Sequence, residues 1–167
     1  MINPTLEFLY GLHHRGIKLG LKNISDFLSL CNNPHNQIKT IHLAGTNGKG
    51  STASILAKIL QENGQKVGLY TSPHLVRFNE RIRINGCPIS DQEIIDFIQK
   101  HRKTIMDSSI TFFEATTALA FTYFEQKNVD IAIIETGLGG RLDSTNVIEP
   151  VQTIITEIDY DHTHILG

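Results

Sequence analysis

Lys49 is the residue whose neighbours imply the most chemistry. It stands in Gly45-Thr46-Asn47-Gly48-Lys49-Gly50-Ser51-Thr52, directly after the short apolar run Ile41-His42-Leu43-Ala44. Glycines leave room for backbone N–H groups to close around a phosphate. A lysine there can reach the outer phosphates, and Ser51 or Thr52 can offer a hydroxyl to Mg²⁺. The spacing departs from the general P-loop pattern. Leu43 stands where its first glycine belongs, and Gly50 separates the lysine from the hydroxyl residue. A glycine-rich turn that binds nothing is the alternative, but such a turn needs neither the extra glycines nor a lysine at a helix entrance. We read the segment as a nucleotide-phosphate loop.

Other residues invite chemical readings. Val129-Asp-Ile-Ala-Ile-Ile-Glu135 is an apolar run ending in a carboxylate, and an acid at a strand tip can hold Mg²⁺ directly or through water. Gly137-Leu-Gly-Gly-Arg-Leu-Asp143 comes next; Leu142 occupies the place of the last glycine in a dinucleotide fingerprint, so the loop instead implies a backbone that approaches something closely. Two aspartates and two histidines lie between Asp159 and His164. Ligand chemistry alone would favour Zn²⁺ or Mn²⁺ for them, since Mg²⁺ prefers oxygen. A metal site shared with Lys49 and Glu135 is more economical than a separate one. His13-His14 reads as solvated loop, and Phe112-Phe113 as core packing or a stacking surface for an aromatic ligand.

Apolar periodicity supplies the elements that must position these groups. Ile55, Leu56, Ile59 and Leu60 predict a helix after the phosphate loop, buried on that face and ended by Gly64 in a left-handed conformation. Lys66–Tyr70 predicts a strand parallel to the first, delivering Ser72 near the phosphates if the two are neighbours. Asn3-Pro4 predicts a helix start with Asn3 as cap, and residues 23–31 a second helix stopped by Asn32-Asn33-Pro34. Asn85-Gly86 predicts a hairpin turn. Ser90-Asp-Gln-Glu93 and Thr111-Phe-Phe-Glu114 are capping boxes. Strands are expected from Ile38, Lys66, Val129 and Val151, giving an α/β fold with a P-loop NTPase-like, mostly parallel sheet flanked by helices.

Totals narrow the class. A net charge of −2 over 167 residues argues against a broad surface for nucleic acid or anionic lipid. Cys31 and Cys87 are too few for a disulfide framework and fit a reducing cytoplasm. The N-terminus carries Glu7 and no long apolar region, so it does not read as a signal peptide. No apolar run is long enough for a membrane-spanning helix.

Taken together, Gly45–Ser51, Thr71-Ser-Pro-His-Leu75, Glu135–Asp143 and Asp161-His162 with Leu166-Gly167 resemble folylpolyglutamate synthase/dihydrofolate synthase, a branch of the ATP-dependent Mur ligase superfamily. The resemblance covers nearly the whole chain. It implies that the phosphate loop, Gly45 to Thr52 with Lys49 at its centre, holds ATP. It implies that Ser72, Glu135 and His162 are Mg²⁺ ligands, against the unaided preference above, with Lys49, Glu135 and His162 as catalytic residues. The loop from Ser72 to Arg81 would lie near folate and phosphate. Candidate substrate contacts are Ser72, Pro73, His74, Arg81, Phe113, Gly139, Arg141 and Asp143. The implied reaction phosphorylates a carboxylate of dihydropteroate or a reduced folate with ATP and passes the acyl group to the amine of L-glutamate.

The family pattern continues past Leu166-Gly167 to a lysine that supports a second metal, and then to a C-terminal domain that helps bind ATP and glutamate. Residues 1–167 therefore read as part of an N-terminal ATPase domain, expected to be inactive alone. Because no helix is expected after the last strand, some apolar sheet surface should stay uncovered and promote self-association. A P-loop kinase and a non-catalytic nucleotide-binding remnant remain as rival readings; glutamate-dependent phosphate release separates the ligase from both.

Overall fold

The computed structural model describes residues 2–166, so Gly167, the last residue of the fourth motif, lies outside the described residues. In chain order the elements are α1 (Asn3–Gly11), α2 (Lys22–Leu30), β1 (Thr40–Ala44), α3 (Lys49–Glu62), β2 (Val67–Tyr70), β3 (Ile82–Ile84), β4 (Cys87–Pro88), α4 (Asp91–Asp107), α5 (Phe112–Gln126), β5 (Ile131–Glu135), β6 (Gln152–Ile155) and the single turn α6 (Thr163–Leu166). Both capping boxes form: Ser90 caps α4 with Glu93, and Thr111 caps α5 with Glu114. No described helix is long and apolar enough to cross a membrane.

The six strands make one sheet in the order β4-β3-β2-β5-β1-β6. β2, β5, β1 and β6 run parallel, and β3 and β4 add an antiparallel hairpin at one edge. β5 lies between β1 and β2, so the condition under which the sequence placed Ser72 near the phosphates, that those two strands be neighbours, is not met. The physical reason is the apolar character of β5 on both faces: Ala132, Ile133 and Ile134 are fully buried, and such a strand gains most at the centre of a parallel sheet.

Alternation along the strands divides the core in two. Ile41, Leu43, Val67, Leu69 and Ile133 face α3, while Tyr70, Ala132 and Ile134 join the larger cluster built on α1, α2, α4 and α5. α3 turns a different stripe inward than its sequence suggests. Ala53, Leu56, Ala57 and Leu60 pack on the sheet, whereas Ile55 and Ile59 are 63% and 52% exposed. Two stripes of the same period overlap at Leu56 and Leu60, and the tight loop from β1 fixes which one faces the sheet. α1 also differs, with Ile2 at its N-cap and Asn3 inside the first turn. Beyond β6 a single helical turn does form at Thr163–Leu166, but Val151 and Ile155 at this edge remain 62% and 69% exposed.

α5 packs so closely on β2 that Gly68 has no room for a side chain: a Cβ there would lie 2.9 Å from the Phe124 ring. Gly68→Ala is expected to cost about 1–3 kcal/mol through overpacking. Thermal unfolding should show a fall of roughly 2–4 °C per kcal/mol for a chain of this size; an unchanged Tm would contradict the packing described.

Candidate active site

β1 ends at Ala44 and α3 begins at Lys49, with Gly48 as its N-cap in a left-handed conformation (φ 81°) and no side-chain cap. The first bond of the helix runs from Thr52 N–H to the Gly48 carbonyl. The N–H groups of the preceding turn therefore remain available to an anion at the positive end of the helix. Lys49 Nζ donates to the carbonyls of Gly45 (2.7 Å) and Thr46 (3.1 Å), folding back over its own loop. Not every residue of the motif is free for phosphate. The N–H groups of Thr46 and Asn47 both donate to the Glu157 carbonyl, at 2.7 and 3.3 Å. The donors left to a ligand are those around Gly48, Lys49, Gly50 and Ser51.

Glu135, at the tip of β5, is only 4% exposed. Its Oε2 accepts the N–H of Ser72 (3.1 Å), just beyond the end of β2. A Cβ on Gly50 would lie 3.5 Å from the same oxygen, so the carboxylate rests against the first turn of α3. Burial pushes the Glu135 carboxyl above the ordinary carboxylate range, while the Ser72 N–H and the Lys49 charge act the other way. Ser72 thus reaches the phosphate loop across β5.

The side chains that could hold a cation here offer oxygen: Glu135 its carboxylate, and Ser72, Ser51 and Thr52, on the segments that adjoin it, their hydroxyls. That set suits Mg²⁺. Among the described residues no three His, Cys, Asp or Glu side chains gather as a metal-binding group. The rings of His162 and His164 stand 6.1 Å apart. His162 is half exposed beside Asp161 (3.7 Å) and shares a cleft with Ser72.

That cleft has a volume of about 540 Å³. Phe112 and Phe113 form its aromatic wall, with Leu138 and Leu142 from the glycine loop and Ile17 and Leu19 from the α1–α2 connection. Ser72, Pro73, Arg81, Asp143 and His162 also line it. His13 stacks on Phe112 (4.2 Å between centroids, 25° between planes), and the Arg81 guanidinium lies 5.2 Å above the same ring. Arg81 Nε donates to His74 Nδ1 (2.8 Å), so His74 accepts there; burial, then the guanidinium, holds its pKa low. The loop carrying His74 is pinned by Glu80, whose carboxylate accepts the N–H groups of Leu75, Val76 and Arg77.

Asp143 is buried and holds the glycine loop in shape. Its Oδ2 accepts the N–H groups of Gly137 and Leu138 (2.9 and 2.8 Å), and its Oδ1 accepts the N–H and hydroxyl of Thr145 (2.9 and 2.6 Å). Because the Thr145 hydroxyl is spent on Asp143, His42 Nε2 (2.8 Å away) donates to Thr145 Oγ1. The close approach implied by the glycines is to Phe113, whose ring leaves 2.4 Å for a Cβ on Gly137. Gly139 and Arg141 stand on the loop outside the cleft lining.

Phe112 and Phe113, read from the sequence as core packing or a stacking surface, both line the cleft, whereas His13 and Lys18 are cleft residues that sequence reasoning did not single out as functional. The one available signal was Arg15 beside them. Its Nη1 donates to the carbonyls of Ile105, Ser108 and Ile110 (2.8–2.9 Å), and Lys18 Nζ donates to Ser109 O (2.7 Å). These bonds draw the His13–Leu19 connection onto the end of α4 and the α4–α5 connection.

The buried Glu135 gives a pH signature. Its folded pKa is raised, so its contribution to stability is present when it is protonated and is lost as pH rises through the folded value. Glu135→Gln, which stays neutral, should raise the Tm of the ligand-free protein at about pH 8 and leave it nearly unchanged at about pH 3.5. Equal effects at both ends of a pH series of melting curves would contradict this.

Comparison with known proteins agrees with this geometry. The model of the Mur ligase middle domain matches residues 43–167. The dihydrofolate synthase/folylpolyglutamate synthase of Bacillus subtilis is 45% identical, over 96% of this chain and 39% of its own length. Among solved structures, the folylpolyglutamate synthase of Thermotoga maritima superposes with a TM-score of 0.87 at 46% identity, over 94% of this chain and 38% of that one. Escherichia coli FolC in complex with DHPP and ADP gives 0.92 at 38% identity, over 99% and 40%. The chain thus spans about two fifths of the length of these relatives, and it belongs to the Mur ligase family through that family's middle domain.

Proposed function

We propose that this chain carries the ATP site and the pteroate cleft of a folylpolyglutamate synthase/dihydrofolate synthase, an ATP-dependent ligase that adds L-glutamate to dihydropteroate or a reduced folate. One observation supports this above the others. The uncapped start of α3, the buried Glu135 against Gly50, and an aromatic-walled cleft meet through a single residue, Ser72. The resemblance to proteins whose structures hold ADP and DHPP supports the same reading.

In the proposed reaction the donors from Gly48 to Ser51 and the ammonium of Lys49 bind the outer phosphates of ATP. To do so Lys49 exchanges the carbonyls of Gly45 and Thr46 for phosphate oxygens. A carboxylate oxygen of the pteroate or folate attacks the γ-phosphorus, the bond to the β-phosphate oxygen breaks, and ADP leaves. The amine of L-glutamate then attacks the acyl carbon, loses a proton, and displaces inorganic phosphate to leave an amide. Donors aimed at the transferring group stabilise the charge that develops there. Glu135, with the hydroxyls of Ser72 and Ser51 or Thr52 and the imidazole of His162, would hold Mg²⁺, which when bound neutralises phosphate charge. Phe112, Phe113 and His13 offer flat faces to a pterin ring, with Arg81, His74 and Pro73 beside it. Gly139 and Arg141, outside the cleft lining on the glycine loop shaped by Asp143, would reach a substrate only at the edge of the cleft.

Since the chain spans two fifths of its relatives, the full reaction is proposed for a protein of their length. Residues 1–167 assayed alone are expected to bind nucleotide weakly, to form no amide, and to self-associate through Ile55, Ile59, Val151 and Ile155. A reducing cytoplasm suits the two free cysteines. Titration calorimetry against Mg-ATP tests the reading. Lys49→Ala should weaken binding at least tenfold, corresponding to about 1.4 kcal/mol, with an unchanged melting curve. Unchanged affinity would rule out the assigned role, and glutamate-dependent phosphate release by residues 1–167 would overturn the expectation of inactivity.

A further inference from the structure

We infer that Thr46 is a positioning residue rather than a phosphate ligand: it is the clasp that fastens residues 157–162, and His162 with them, onto the phosphate loop. Past β6 the chain crosses directly over the loop. Thr156 N–H donates to the Ala44 carbonyl (2.9 Å), and the Glu157 carbonyl accepts from Thr46 N–H (2.7 Å) and Asn47 N–H (3.3 Å). The Thr46 hydroxyl then closes a two-way contact with one residue of the crossing segment. It donates to the Asp159 carbonyl (2.9 Å) and accepts the Asp159 N–H (3.0 Å). Gly45 admits the crossing, since a Cβ there would lie 2.1 Å from Thr156 Oγ1. The backbone donor and the hydroxyl of Thr46 are therefore both spent on this segment.

The residues after Asp159 give the clasp its importance. Tyr160 is 89% exposed. Among the described residues, the hydrogen bonds made by residues 160–165 are local: Tyr160 N–H to Asp159 Oδ1, His162 N–H to Asp161 Oδ1, and Ile165 N–H to the His162 carbonyl. The bonds at Thr46 are thus the last that tie the segment to the rest of the fold before His162 enters the cleft with Ser72. Whatever His162 does there, Thr46 sets where it does it. The functional half of this inference rests on the nucleotide site proposed above; the structural half does not.

Two measurements on residues 1–167 test it. Thr46→Val removes the hydroxyl at nearly constant shape, and Thr46→Ser restores it. Hydrogen exchange at Asp159–His162 should accelerate about tenfold or more in the valine variant, remain within about twofold of wild type in the serine variant, and stay unchanged in β1 and α3. Undisturbed exchange at Asp159 would overturn the clasp. Should the valine variant fail to fold, Asp159→Pro removes the donor from the other side, and acceleration at residues 160–162 serves the same test. Affinity for Mg-ATP then separates the two roles of Thr46. If Thr46 acts through His162, Thr46→Val combined with His162→Ala should lose no more affinity than the more damaging single change. Losses that multiply would make Thr46 a phosphate ligand in its own right and overturn the proposal. A wild-type chain that binds no ATP would remove the nucleotide reading, while the exchange comparison would still decide the clasp.

Discussion

Holding a carboxylate out of water at the tip of the central strand is the constraint around which the rest of the site is arranged. Among the described residues Glu135 has a single hydrogen-bond donor, the Ser72 N–H, and nearby a lysine whose ammonium is turned toward its own loop. Desolvation outweighs both, and the carboxyl holds its proton more tightly than an exposed glutamate would. A fold selected only for stability would place an apolar residue there. The neighbours make sense as what such a group requires. Gly50 brings it against a helix start, and β5 carries it between the ends of β1 and β2. A buried carboxylate with a raised pKa beside a cleft is a candidate functional group.

A second buried carboxylate shows the contrast. Asp143 receives four donors, all from its own loop. Through Thr145 it is also linked to His42, which burial keeps from protonating readily and which sits on β1 just ahead of the phosphate loop. Asp143 has four donors where Glu135, among the described residues, has one. One carboxylate fixes the wall of the cleft against Phe113; the other rests buried at the tip of β5. Their places along the chain, one at the tip of a buried strand and one in the loop just after it, would not distinguish them.

The parts of this arrangement that were legible in the sequence are those set by local chemistry. Strand, glycine turn and helix around Lys49, the two capping boxes, the Asn-Gly hairpin and the apolar run ending in Glu135 are all written in adjacent residues. The features that escaped depend on distant ones. The position of β5 between β1 and β2 comes from burial on both faces. The inward stripe of α3 comes from the entry angle of its loop, because Leu56 and Leu60 belong equally to two stripes. His13 reads as solvated by any local measure and becomes part of an aromatic wall only because Arg15 finds three carbonyls about ninety residues away.

The crossing of residues 156–159 over the phosphate loop has a consequence for biosynthesis. Thr46 and Asp159 are separated by 113 positions. At ribosomal rates of about 5–20 residues per second, the interval between them is roughly 5–20 s. For most of that interval the nascent phosphate loop has neither β5 nor β6 beside β1, and until Glu157 is made the N–H groups of Thr46 and Asn47 lack the carbonyl that later engages them. A nucleotide met on the ribosome would therefore encounter a loop with more free donors and less shape than the finished one. Competence at this site is gained late in translation, with the arrival of a segment that contributes mainly its backbone.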